Sequence, residues 1–169
     1  QGMAYARSYT SDAFVADFQA LFRHQLRASA LTEGELCVAI TDTAWNPAYG
    51  AACHGAARDL GAEALTTVLS WDRPPSSTAL EAACGQADLI VYMTGHALHY
   101  RPEIAAALER GARVLCCMEP PHVLDRLRAD ETVRRRARAG AELLDRAVTV
   151  HVTSDAGTDL VMQKPGRPG

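Results

Sequence analysis

The sequence of 169 residues lacks the features that mark several classes of protein. It has no apolar run long enough to cross a bilayer, so we expect no membrane as a partner. Its net charge of −3 provides no basic surface for nucleic acid or for anionic lipid. No segment is internally repeated or of low complexity. What remains is the composition of one ordinary globular domain.

Paired cysteines are also missing. The five cysteines form no C-x-x-C pair, and Cys37, Cys116 and Cys117 fall inside predicted strands. We interpret them as buried free thiols in a reducing cytoplasm. The first residues contain no basic-then-apolar secretory leader, so we expect a cytoplasmic protein. We expect residues 1–10 to be a leader that is disordered or derived from a tag.

The glycine-rich motifs of nucleotide sites are absent as well. The first predicted strand is followed by Thr-Asp-Thr-Ala-Trp-Asn, without G-x-G-x-x-G or G-x-x-x-x-G-K-[ST]. Without those glycines the backbone cannot approach a pyrophosphate closely, which excludes a dinucleotide or P-loop site. The nucleophile motif G-x-S-x-G is not found either.

The segments that are present alternate between short apolar runs and helical patterns. This alternation predicts an α/β fold: a Rossmann-like open sheet of about five mainly parallel strands, with helices on both faces. The domain should span residues 11–163, and residues 164–169 should begin a linker. The predicted strands are Leu36–Thr41, Ala64–Leu69, Ala87–Tyr92, Ala112–Met118 and Val148–Thr153, with Thr158–Met162 as a further candidate.

Helices are predicted between these strands. The first begins after Ser11 as N-cap, and the next begins near Pro47. The charge run over Val123–Arg138 predicts one solvated helix. A further helical segment should cover Gly140–Ala147. Asp155–Asp159 is better explained as a tight turn between two strands than as a cation site.

Polar residues gather at the carboxyl ends of the third and fourth strands, where open α/β sheets bind ligands. His96 and His99 lie in the first of these loops, and Glu119 and His122 lie in the second. Two histidines three residues apart can meet one metal, but no third ligand is near, so we predict no metal site. Each histidine is either an acid–base group or an ordinary polar loop residue.

Glu119 and His122 are the candidate substrate-binding residues. Glu119 precedes Pro120-Pro121, so the alternative interpretation is a fixed turn from strand to helix.

Three segments resemble the N-terminal half of the 2,5-dihydroxypyridine 5,6-dioxygenases: ADLIVYMTGHALHYRPEI, GARVLCCMEPPHVLDRL and HVTSDAGTDL. The resemblance covers roughly residues 30 to 162, and these enzymes are similar in turn to the aminopeptidase T metallopeptidases. It implies a non-haem Fe(II) enzyme of nicotinate and nicotine breakdown that opens an electron-rich pyridine ring with O₂. The family's iron ligands are two histidines and an aspartate of its C-terminal domain. We therefore expect no iron bound to this chain alone.

The resemblance also implies roles for residues and partners. In the family a histidine in the loop after the third strand is thought to assist as a base. His99 is the first match to it and His96 the second. The loop around Asp72–Thr78 is shorter than in the dioxygenases, which leaves the substrate open. The implied partners are a small hydroxypyridine-like aromatic substrate and further copies of the chain in a homo-oligomer.

Three functions follow from these observations. The first is the N-terminal domain of such a dioxygenase. The second is a domain of an aminopeptidase-T-like metallopeptidase, in which a metal-activated water attacks a peptide carbonyl. The third is a stand-alone, non-catalytic binding or assembly module.

Overall fold

A computed structural model describes residues 12–128 and 130–166, with side chains from residue 18 onward. These residues form two compact units, one ending at Arg128 and one beginning at Asp130. The elements are α1 (Asp12–Ala28), β1 (Leu36–Asp42), α2 (Pro47–Asp59), β2 (Glu63–Leu69), α3 (Ser77–Cys84), β3 (Leu89–Met93), a 3₁₀ turn (Leu98–Tyr100), α4 (Pro102–Glu109), β4 (Arg113–Cys116), α5 (Pro121–Arg126), α6 (Glu131–Arg146), β5 (Thr149–Thr153) and β6 (Asp159–Gln163).

The first unit contains a parallel sheet of four strands in the order β2-β1-β3-β4. β1 pairs with β2 on one side and with β3 on the other, so the strand order reverses between β1 and β3. At such a switch point the connections leave in opposite directions, and a crevice opens at the carboxyl ends of the two strands. The loops after β1 and β3 border this crevice.

Helices cover both faces of the sheet because the central strands are apolar on both sides. Successive residues of β3 point to opposite faces. Leu89 and Val91 pack in the cluster that contains α1 and α2, whereas Ile90 and Tyr92 pack in the cluster that contains α3 and α4. The predicted α/β architecture, with a parallel sheet between helices, is confirmed.

The strand predicted over Val148–Thr153 belongs to a different sheet. In the second unit, β5 and β6 pair antiparallel, so the parallel sheet has four strands and a separate two-stranded sheet follows it. The connection between β5 and β6 contains Gly157 at φ 93°, a conformation that favours glycine. The tight turn predicted for Asp155–Asp159 is therefore confirmed, because a hairpin pairs two neighbouring strands locally.

The single charged helix predicted over Val123–Arg138 is wrong. α5 ends at Arg126, and α6 begins after Asp130, whose carboxylate accepts the Val133 N–H at 2.8 Å. An aspartate at the N-cap satisfies an N–H group that the first helical turn leaves free. Because charged residues lie on both sides of Asp130, the sequence pattern did not indicate that a new helix begins there.

Other sequence features have their expected or a revised place. Ser76 is the N-cap of α3 and accepts the Ala79 N–H, while Ser11, the predicted cap of the first helix, lies outside the described residues. The five cysteines are free thiols, four of them buried, but Cys116 is exposed. Within residues 12–128 and 130–166, no helix combines the length and apolar character that a membrane crossing needs.

An ion pair holds the start of α4. Both carboxylate oxygens of Glu103 accept hydrogen bonds of 3.1 Å from the Arg101 guanidinium, and the Glu103 side chain is buried. The hydrogen bonds from Arg101, and then from Ser77, lower the pKa of Glu103 from its ordinary value of 4.5 to about 2. Because Arg101 directly follows the 3₁₀ turn, this pair also holds the end of the loop that carries His96 and His99.

Glu103→Gln should therefore destabilise the protein in a pH-dependent way. A depressed pKa stabilises the fold fully above the ordinary value of 4.5, and this stabilisation is lost as the pH falls toward about 2. The difference in free energy of unfolding between wild type and variant should shrink across that range in urea titrations. Glu109→Gln, an exposed position on the same helix, is the control and should show no such change. A pH-independent difference for Glu103→Gln would contradict the assignment.

Candidate functional site

A buried carboxylate lies at the switch point of the sheet. Asp42, the last residue of β1, is 3% exposed. Its Oδ1 accepts the N–H groups of Ala44 and Trp45, each at 2.9 Å, and its Oδ2 accepts the Gly95 N–H at 2.8 Å. The carboxylate therefore ties the loop after β1 to the loop after β3, and three donors compensate its burial.

A tryptophan joins a third loop to these two. The main-chain N–H of Trp71, two residues after β2, donates to Thr43 Oγ1 at 3.1 Å. Beside it, His96 Nε2 lies 3.3 Å from the Ser70 carbonyl oxygen, and the imidazole and indole ring centroids are 5.3 Å apart. Because a carbonyl only accepts, Nε2 carries the hydrogen and the lone pair of a neutral His96 is on Nδ1.

Gly95 is required by the indole ring above it. A Cβ at this position would lie 1.8 Å from Cζ3 and 2.4 Å from Cη2 of Trp71. No side chain fits there unless the indole moves. The Thr94 hydroxyl donates to the His96 carbonyl at 2.9 Å, which further defines this part of the loop.

His99 has a different partner from His96. Its Nδ1 lies 2.8 Å from the hydroxyl of Tyr92, a side chain that is 2% exposed. Burial raises the pKa of Tyr92 above its ordinary range, and the contact with the Cys116 thiol raises it further, so the phenol is protonated at neutral pH. The His99 ring is exposed, and its centroid is 4.0 Å from that of Tyr100.

The two histidines are thus chemically distinct. Leu98 lies between the two histidines in the sequence. Its side chain is only 1% exposed, and this burial fixes the 3₁₀ turn. His96 is half-buried against Trp71, whereas His99 has one nitrogen on a buried phenol. Among the described residues, no hydrogen bond uses His99 Nε2. A ring oriented through one nitrogen and open at the other has the geometry of a general acid or base.

Glu119 and His122 lie at the neighbouring strand end. Both side chains are exposed, and no hydrogen bond or ion pair within the described residues joins either of them to the loop histidines. The main-chain carbonyl of Glu119 accepts the Tyr49 hydroxyl at 2.7 Å, and α5 begins at Pro121. This contact supports a fixed strand-to-helix turn, and substrate binding by the two side chains stays a prediction.

The described residues do not fit an iron centre. They contain no group of three or more histidine, cysteine, aspartate or glutamate side chains that could hold a metal ion. A facial triad needs two histidines and a carboxylate on one ion. Asp42 provides a buried carboxylate at the crevice, but both of its oxygens already accept hydrogen bonds from main-chain N–H groups.

Three residues of this site were missed in the sequence. Asp42 directly follows the first predicted strand and Trp71 stands two residues after the second, which was a usable signal. Tyr92 was predicted only as part of a strand. Its pairing with His99 depends on how the following loop folds back, and no local pattern shows that.

Known proteins resemble this chain over most of its length. The family model of 2,5-dihydroxypyridine 5,6-dioxygenase matches residues 17–168. The 2,5-dihydroxypyridine 5,6-dioxygenase of Pseudomonas putida strain KT2440 is 30% identical over 161 residues, which cover 85% of this chain and 45% of that protein. The solved structure of 2,5-dihydroxypyridine dioxygenase from the same strain superposes with a TM-score of 0.76 at 27% identity, covering 91% of this chain and 49% of that one. The chain therefore spans about half the length of these relatives.

Gly95→Ala should displace the Trp71 indole. We expect a loss of about 1–3 kcal/mol in the free energy of unfolding, because an added methyl group overpacks the contact. In a Trp71→Ala background the same substitution should cost little, since the colliding ring is gone. A double-mutant cycle by urea denaturation measures this coupling. Equal losses in both backgrounds would show that the indole is not what requires glycine.

Proposed function

The chain belongs to the family of 2,5-dihydroxypyridine 5,6-dioxygenases, and we propose that it forms the Rossmann-like N-terminal part of an enzyme that opens a hydroxylated pyridine ring with O₂. The observation that carries this proposal is the family match over residues 17–168. The histidine loop at the crevice of the sheet supports it. The aminopeptidase-T-like and stand-alone alternatives are not favoured, because the relatives described above are named as dioxygenases.

We propose that Fe(II) is the cofactor and that it binds outside this chain. Since the described residues hold no group that fits a metal, its ligands should come from the part of the relatives' length that this chain does not cover. Residues 164–169 would then lead from the domain of residues 11–163 toward that part. When bound, the iron supplies activation of O₂ and a position for the electron-rich ring. The intact mass of the native protein tests whether it contains such a further part, and a mass near twice 18.2 kDa is expected.

His99 is the proposed base in this reaction. In the tautomer we propose, Nδ1–H donates to the Tyr92 oxygen, and the Tyr92 hydroxyl hydrogen points to the Cys116 sulfur. Nε2 then keeps its lone pair and can accept the proton of a ring hydroxyl as the electron-rich form of the substrate develops. The 2.8 Å contact between Tyr92 and His99 supports this role, because it holds the orientation of the ring and the Tyr92 oxygen can accept the Nδ1–H of the proposed tautomer.

The remaining residues have secondary proposed roles. His96 is the second candidate base, and its lone pair on Nδ1 would serve if His99 did not. Glu119 and His122 are the proposed contacts to substrate substituents from the neighbouring strand end.

We also propose a cytoplasmic homo-oligomer. β2 supports the assembly, because in the described part of the chain it has a strand on only one side and exposes Leu65 and Val68.

The full-length protein should consume O₂ when 2,5-dihydroxypyridine is added, with loss of the aromatic absorption band. An oxygen electrode and an ultraviolet spectrophotometer measure the two in parallel. An aminoacyl chromophore substrate is the counter-assay. Release of an N-terminal amino acid without oxygen uptake would overturn the proposal in favour of the peptidase.

His99→Gln should lower kcat about 100-fold or more while the iron content per subunit stays at the wild-type level. The physical reason is that glutamine keeps a polar side chain but cannot accept the proton. His54→Gln is the matched control, because His54 lies within α2 and its Nδ1 is 3.2 Å from Thr66 Oγ1 of β2, so neither residue belongs to a loop of the crevice. An equal loss of iron in His99→Gln would contradict the role as base.

Tyr92→Phe tests the orientation of His99. Removing only the hydroxyl should lower kcat about tenfold with KM unchanged, because the imidazole remains but the hydrogen bond that orients it is lost. Circular dichroism and urea denaturation check that the core survives. A change confined to KM would assign Tyr92 to substrate binding instead.

A further inference from the structure

We propose that Trp71 recognises the aromatic ring of the substrate by stacking against it, which makes it a specificity-determining residue of the reaction. This proposal rests on the proposed function and adds to it the residue that selects a planar ring. His96 is the neighbour of the indole, with the ring centroids 5.3 Å apart, while His99 remains the base.

Trp71 is held in place although it is on the surface. Its main-chain N–H donates to Thr43 Oγ1, the carbonyl of its neighbour Ser70 accepts a hydrogen bond from His96, and its indole ring lies on Gly95. Because the main chain around Trp71 is bonded to the loops after β1 and β3 and the indole rests on Gly95, the side chain loses little further freedom when a ligand stacks on it. Preorganisation of this kind lowers the entropic cost of binding.

The indole nevertheless stays open to a ligand. Trp71 is 50% exposed, although its benzo edge lies on Gly95 and His96 is beside it at a ring tilt of 36°. A large aromatic side chain that is rigidly held and half exposed at the crevice of an α/β sheet is a recognition surface for planar groups. An electron-rich indole fits a pyridine ring well, because offset stacking adds to the burial of apolar area.

Trp71→Ala in the full-length enzyme should raise KM for 2,5-dihydroxypyridine about tenfold, or about 1.4 kcal/mol of binding, with kcat within about threefold of wild type. Stacking that is equal in the ground and transition states affects KM alone. Trp71→Phe should restore KM, whereas Trp71→Leu, which is apolar but not aromatic, should not. Leu108→Ala is the matched control, because Leu108 is 51% exposed on α4, and it should leave KM unchanged.

Fluorescence provides a readout that does not depend on turnover. The chain contains two tryptophans, so substrate quenching that is present in wild type and absent in Trp71→Phe is assigned to Trp71. If the wild type cleaves the ring but Trp71→Ala has an unchanged KM and normal quenching, the stacking role is overturned and the dioxygenase function stands. If no hydroxypyridine is turned over, the proposed function fails, and quenching specific to Trp71 on titration with 2,5-dihydroxypyridine still decides whether the ring binds there.

Discussion

The carboxylate of Asp42 is the constraint on which the candidate site depends. A buried carboxylate with free oxygens would be costly, so the backbone around it must supply donors. Two come from its own loop and one from Gly95 on the far side of the switch point. The loop after β3 is thereby held at the crevice. Glycine is also the only residue type that fits at position 95 under the Trp71 indole. The segment around Gly95 therefore also brings the loop after β2 into the site.

Strand geometry explains why the two loop histidines differ. Side chains of β3 alternate between the faces of the sheet, so Tyr92 points toward α3 and α4, and its hydroxyl lies 2.8 Å from His99 Nδ1. Leu98 turns the loop back over that position by burying its side chain. His99 then meets a buried phenol, and His96, before the turn, meets an exposed indole. A spacing of three residues would allow both rings to reach one metal ion, but in the fold they have separate partners.

The elements that sequence predicted well are those whose cause is local. The four parallel strands are short apolar runs, and Ser76 and Pro47 lie at helix starts where capping chemistry favours them. The failures have a common origin. The break before α6 depends on one aspartate within a charge run. The placement of β5 depends on whether it pairs with β6, its neighbour in sequence, or with an edge strand of the parallel sheet. Hydrophobic period alone reports neither of these choices.

The sequence by itself determined the α/β class, the position of the histidine loop at a strand end and the family to which the chain belongs. These follow from periodicity and from residues that stand next to one another, such as the segment from His96 to His99. Only the tertiary structure decided that Asp42 joins two loops, that Tyr92 orients His99 and that Trp71 lies on Gly95. Each of these contacts links residues from different strands or loops, and their meeting depends on strand order and on the way each loop closes rather than on any local preference.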